Sequence, residues 1–315
     1  MQTHADEIKN NPSVAKSAKI KLNDRSNGRP LKVLSEEDWQ FWVHNGYVVI
    51  KNVVPAEQIE RLVQVIWEFE EKDPHNPATW YAAPRAEMAM KELVGTGMVE
   101  IYHHQYLWDN RQTPRVYDAF SDIWGVDELW VTIDRANLNM PLRPHDTFKG
   151  FIHWDYDPQT NPQNVQGVLA LNDQTDERVG GFQCIPELFR NYESWAMTQP
   201  TDRDYFKPDI RGYEDKIVKV KMEAGDLLIF HSMQPHGIRP NFSGQKVRLA
   251  QYISMIPAEE ENTELRNWRI NSWRERITPR GYAFPGDPRH WEQQHYPAAQ
   301  LSGLGRKLLG LDAWF

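Results

Sequence analysis

From Glu128 onward the chain breaks into short β-branched and aromatic runs, and this texture ties its second half to a sheet-built core. Residues 129–133, 151–156, 165–171, 217–222, 226–231 and 247–256 read as strands. Asn161-Pro162, Gly180-Gly181, Ala224-Gly225-Asp226 and Ser243-Gly244 punctuate them as turns. The first half reads as helical. Ser35-Glu36-Glu37-Asp38 has the form of an N-cap with an acidic third position, and Trp39, Phe41 and Trp42 follow it. Gly46 to Ile50 reads as a strand. Pro55 then opens a helix whose face is traced by Ile59, Leu62, Val63, Ile66, Trp67 and Glu70. Many short strands after a helical first half predict a mainly β fold with helical additions (α+β), a barrel or sandwich.

The predicted organisation is a flexible N-terminal arm over residues 1–33, with order starting near Leu34, and one domain over 34–315. Within it, helical support covers 34–127, the barrel core about 128–256 and a C-terminal extension 259–315. That extension interleaves Arg266, Arg269, Arg274, Arg276 and Arg280 with Trp268, Trp273, Tyr282, Phe284 and Trp291. Such a stretch docks a tail onto a body, with arginine stems covering apolar surface. The net charge of −8 argues against a nucleic-acid partner. No run of about 18 apolar residues is present, so no membrane span is expected. The polar start lacks an apolar signal core, and a cytoplasmic location is expected. The lone Cys184 cannot form an internal disulfide and reads as a buried filler.

The chemistry concentrates in Phe151-Ile152-His153-Trp154-Asp155-Tyr156-Asp157. On a strand, His153 and Asp155 point the same way, which supplies two adjacent metal ligands. A third is expected from His236, just past the strand of residues 226–231, where Gly237 lets the backbone bend. Two histidines and one carboxylate form the facial triad of iron(II) oxygenases, which leaves positions for a chelating 2-oxo acid and for dioxygen. Arg248, twelve residues beyond His236, is placed to hold the distal carboxylate of such a co-substrate. Asn137 and Asn139 share a face before the triad and are candidates to touch the same molecule. Asp157 is an alternative ligand, although Pro158 makes it read as a strand end. His231 reads as a core histidine or a partner of the ligands, and of His103 and His104 at most one can line a pocket.

The sequence also resembles the phytanoyl-CoA dioxygenase-like enzymes, which include ectoine hydroxylase. The likeness runs from Asn45-Gly46-Tyr47-Val48-Val49-Ile50-Lys51-Asn52-Val53-Val54-Pro55, through Gly180-Gly181-Phe182-Gln183-Cys184-Ile185-Pro186, to Ala224-Gly225-Asp226-Leu227-Leu228-Ile229-Phe230-His231 and Arg248. It spans roughly residues 35 to 256. It implies a double-stranded β-helix (jelly-roll, cupin-like) barrel, with iron(II), 2-oxoglutarate and O2, acting on a small-molecule substrate. Related halogenases carry a small residue at the carboxylate position. Asp155 therefore implies oxidation rather than halogenation: hydroxylation, demethylation, desaturation or cyclisation. A ligand-binding barrel without catalysis is the alternative. A zinc hydrolase using the same ligands would leave Arg248 without a role. Neither monomer nor homodimer is favoured by the sequence.

Overall fold

A computed structural model describes residues 20–82, 96–159, 163–279 and 284–315. Residues 1–19 of the expected arm, the Asn161-Pro162 turn, Arg280 and Tyr282 lie outside the described residues. The chain starts with helix α1 (Glu36–Asn45), strand β1 (Tyr47–Ile50) and helix α2 (Ala56–Phe69). The Ser35 and Asp38 side chains each accept the other's backbone N–H, and Gly46, at φ 69, ends α1 in the left-handed region. Strand β2 (Met98–Val99) and helices α3 (Gln105–Arg111) and α4 (Pro114–Trp124) follow, then strands β3 (Leu129–Val131), β4 (Ala136–Asn139), β5 (Val165–Ala170) and β6 (Gly181–Cys184). Short helices α5 (Pro186–Arg190) and α6 (Tyr192–Ala196) lead to β7 (Val218–Lys219), β8 (Leu227–His231), β9 (His236–Arg239), β10 (Arg248–Tyr252) and β11 (Met255–Pro257). Helices α7 (Thr263–Glu275), α8 (Trp291–His295) and α9 (Gly303–Leu309) complete the chain.

The fold is a mixed, sheet-rich one in which all strand pairs are antiparallel. The main sheet runs β1-β8-β5-β10-β4-β2, a second runs β7-β6-β9, and β11 pairs with β3. Side-chain alternation splits the main sheet into two packing faces. Leu169, Leu227, Ile229 and Leu249 pack with Leu62, Ile66, Trp108 and Phe120 of the helices. Val168, Ala170, Leu228, Phe230 and Ala250 pack with Phe182 and Cys184 of the second sheet. The site lies on that second, inner face. Burial places the Cys184 thiol there and pushes its pKa well above the usual thiol range, so it is inert filler.

Several expectations are corrected. Residues 20–33 are packed rather than loose: Leu22 is buried, and Asp122 accepts the backbone N–H groups of Lys32, Val33 and Leu34. Residues 151–156 form no strand. His153 makes a reciprocal bridge to His236 at 2.7 and 3.0 Å, and the Phe151 N–H donates to the Ile238 carbonyl at 3.3 Å. The run 217–222 shortens to β7. The run 247–256 divides, because Ser254 accepts the Gly167 N–H on its hydroxyl while its carbonyl accepts that of Thr132, which turns the chain from the main sheet to β3. Pro55 is the residue before α2 rather than its first. Among the described residues, no helix is long and apolar enough to cross a membrane. The extension packs on the body. The Arg269 guanidinium is buried over Trp130 at 5.1 Å and donates to the carbonyls of Val131, Leu308 and Leu309.

Candidate metal centre

His153, Asp155 and His236 converge, their ligand atoms all within 4.8 Å of one another. Two elements bring them together. His236 opens β9, and His153 sits opposite it in the bridge. Asp155 follows two residues later and returns to the same side, while Trp154 turns away, buried, with its Nε1 donating to the Met233 carbonyl at 2.8 Å. Nε2 of His153 lies 3.1 Å from one Asp155 oxygen, and Nε2 of His236 lies 3.2 Å from the other. Gln166, on β5, donates to Asp155 Oδ2 at 2.7 Å. The Phe182 ring stacks on His236 at 5.7 Å, and Phe230 covers it at 4.3 Å.

Electrostatics favour a cation. Burial tends to raise the Asp155 pKa, but the two imidazoles beside it hold it well below the usual carboxylate range. Burial opposes charge on His153 too, yet the Asp155 carboxylate raises its pKa above the ordinary value. His236 titrates below its usual value, chiefly through burial. Its Nδ1 faces the Gln234 carbonyl at 2.9 Å, and a carbonyl only accepts, so Nδ1 carries the proton. The neutral ring then aims a lone pair from Nε2 at an Asp155 oxygen. Two acceptors face each other, an arrangement that a metal ion between them resolves. Two nitrogens and one oxygen suit iron(II).

Arg248 and Asn137 form a second group deeper in the main sheet. Arg248 is buried, its Nη1 donating to Asn137 Oδ1 at 2.8 Å and its Nε to Gln174 Oε1 at 3.4 Å. Asn139 is the register partner of Arg248, and its carbonyl accepts from Asn241. The two groups share no hydrogen bond among the described residues. The other candidates fall away from the centre. Asp157 accepts the Gln159 N–H, and His231 sits between Trp42 and Phe189. His104 caps α3, and His103 Nε2 lies against Ser272 and the Ile277 carbonyl. Gln166 was not singled out from sequence, although its parity with Val168 and Ala170 on β5 was readable.

A profile of the family described as phytanoyl-CoA dioxygenase matches residues 42–250. The chain is 27% identical over 273 residues to Ava biosynthesis cluster protein O of Aspergillus versicolor, covering 78% of this chain and 84% of that protein. It is similar in fold to GlcNAc Inducible Gene 2 of Candida albicans, at TM-score 0.66 and 13% identity over 90% of this chain and 78% of that one. It is also similar to EctD of S. alaskensis, solved with 2-oxoglutarate and 5-hydroxyectoine, at TM-score 0.52 and 15% identity over 78% and 86% of the two chains.

Proposed function

The chain belongs to the phytanoyl-CoA dioxygenase family, a non-haem iron, 2-oxoglutarate-dependent oxygenase, and on that footing we propose that His153, Asp155 and His236 hold the iron while Arg248 anchors the co-substrate. The observation that carries this reading is the convergence of the three ligand atoms within 4.8 Å of one another, with His236 buried and His153 and Asp155 half-buried. Iron(II) with 2-oxoglutarate and O2 supplies an oxidant strong enough to attack an unactivated carbon, with succinate and carbon dioxide as co-products. With only His153, Asp155 and His236 as protein ligands, a bound iron would keep positions for the co-substrate and dioxygen. Gln166 holds one carboxylate oxygen of Asp155 and so fixes how that ligand is presented. Gln234, through its carbonyl, sets the tautomer of His236. Phe182 and Phe230 keep water from the His236 side. Arg248, buried and with no carboxylate partner among the described residues, offers a fork for the distal carboxylate, and Asn137 steadies it.

In the same reading, the two facing sheets are the walls of a double-stranded β-helix, residues 34–315 form one oxygenase domain, and the extension braces it. The substrate is a small molecule, in keeping with a relative from a biosynthesis cluster, and Asn139 stands at the edge of the co-substrate pocket. Asp155 occupies the position a halide would need, so the product is oxidised and not halogenated. The test measures iron binding, succinate release and product mass in chloride buffer. His153→Ala and His236→Ala should lose iron with the fold intact, and Arg248→Ala should raise the KM for 2-oxoglutarate by orders of magnitude, since breaking a buried pair costs roughly 3–5 kcal/mol. Retained iron in both histidine variants, or a chlorinated product from the wild type, overturns the reading.

A further inference from the structure

Arg239 lies on β9, three residues past His236, and is only 2% exposed. Its Nη1 donates to the carbonyls of Phe182 and Val220 at 2.8 and 3.0 Å, and its Nη2 to that of Gln174 at 3.0 Å. Its Nε is buried with no partner. Gln174 also faces Arg248, whose Nε donates to its side-chain oxygen at 3.4 Å. One glutamine therefore contacts two buried guanidiniums. Among the described residues, no carboxylate lies within 4.0 Å of either. Gly181 is the register partner of Arg239 and adopts φ 119. A Cβ there would come within 3.0 Å of both Arg239 Nη2 and Gln174 Oε1, so glycine keeps the space this guanidinium fills.

Backbone carbonyls disperse a charge but do not cancel it, and two buried cations beside one another destabilise the empty pocket. Burial lowers the Arg239 pKa to about 10 and the charge of Arg248 acts in the same direction, while the more weakly acting carboxylates of Glu177 and Asp176 offset only part of this. An anion placed against both would remove the conflict. We infer that Arg239 is a second positioning cation for the distal carboxylate of the 2-oxo acid, acting beside Arg248 through the bridging Gln174. This rests on the proposed co-substrate pocket and adds to it a second cation, on β9, that acts on the distal carboxylate and not on the 2-oxo acid end.

The experiment measures binding to the iron(II)-loaded full chain without oxygen, by quenching of its tryptophans. One ligand is 2-oxoglutarate. The other is 2-oxopentanoate, which has the same 2-oxo acid end and no distal carboxylate. Arg239→Met should weaken 2-oxoglutarate about tenfold to a hundredfold, the range of one charge-assisted hydrogen bond. Binding of 2-oxopentanoate should stay within about twofold. Arg239→Lys, which keeps a cation able to reach the same carbonyls, should fall between and carries the test alone if Arg239→Met does not fold. Equal weakening of both acids would reduce Arg239 to a backbone clamp and overturn the inference, as would unchanged 2-oxoglutarate binding. A wild type that binds the two acids alike would remove the co-substrate pocket itself, and with it this role.

Discussion

At the scale of single residues, the chemistry was legible where a residue type has few other uses. A histidine and an aspartate two apart, a later histidine and an arginine after it announce a metal and an anion. Gln166, Gln174 and Arg239 were not legible, because amides and arginines serve equally as surface residues until a fold buries them. Histidines show the opposite problem. His103, His104 and His231 look chemical in sequence, yet burial lowers their pKa to about 3, 4 and 4. Each is therefore neutral when folded and takes a proton more readily when unfolded. Their stabilisation is complete above an ordinary histidine pKa near 6.5 and is lost as pH falls toward 4. For His231, whose Nδ1 accepts the Met233 N–H, the loss amounts to roughly 3 kcal/mol over that window. His231→Asn keeps an acceptor and removes the titration. Urea unfolding between neutral and mildly acid pH should show a shallower loss of stability in the variant than in the wild type. Parallel curves would show that His231 is not the group that titrates.

At the scale of elements, periodicity located strands with one apolar face and missed those without. β4 carries Asn137 and Asn139 inward and reads as polar. β9 begins between Pro235 and Gly237, and only its partners, β6 on one side and His153 on the other, make it a strand. Gly237 was expected to let the backbone bend. Its role is different: a Cβ there would collide with the Phe151 carbonyl, so the missing side chain lets residues 151–153 lie against β9. That approach sets the distance between His153 and His236. Gly237→Ala should push the two segments apart, at a cost of about 1–3 kcal/mol for the overpacking. Iron affinity should fall by much more than stability, because a shift of one ligand spoils the site while leaving the core packed. Titration with iron(II) beside a thermal melt checks this. Iron affinity like that of the wild type would mean the bridge does not position the ligands.

At the scale of the whole molecule, the active face and the structural face are built from different parts of the chain. The triad uses residues 153–236, whereas the extension closes the opposite, helical side. Leu308 and Leu309 of α9 are fully buried in the helix-side core, and Gly310 packs on Trp130. Glu292 of α8 accepts the backbone N–H groups of Tyr102 and His103. Of the basic, aromatic tail, Arg269 and Trp291 are buried, Arg266, Trp268, Trp273, Arg276 and Phe284 half-buried and Arg274 exposed, a docking that composition could not distinguish from a surface that grips a ligand. Removing residues 303–315 would take away two of the three carbonyls that satisfy Arg269 and uncover Trp130, leaving a buried cation poorly partnered. Burying two leucines is worth about 2–5 kcal/mol each when judged by truncation to alanine, comparable with the whole stability of a domain. The shortened chain should therefore melt well below the full chain or aggregate, although every proposed iron ligand is still present. The milder pair Leu308→Ala and Leu309→Ala should lower the Tm while leaving iron binding in the cold unchanged, because neither side chain reaches the inner face. If iron affinity falls as steeply as the Tm in those two variants, the separation of the structural face from the active face is wrong, and the tail must be coupled to the site through the main sheet.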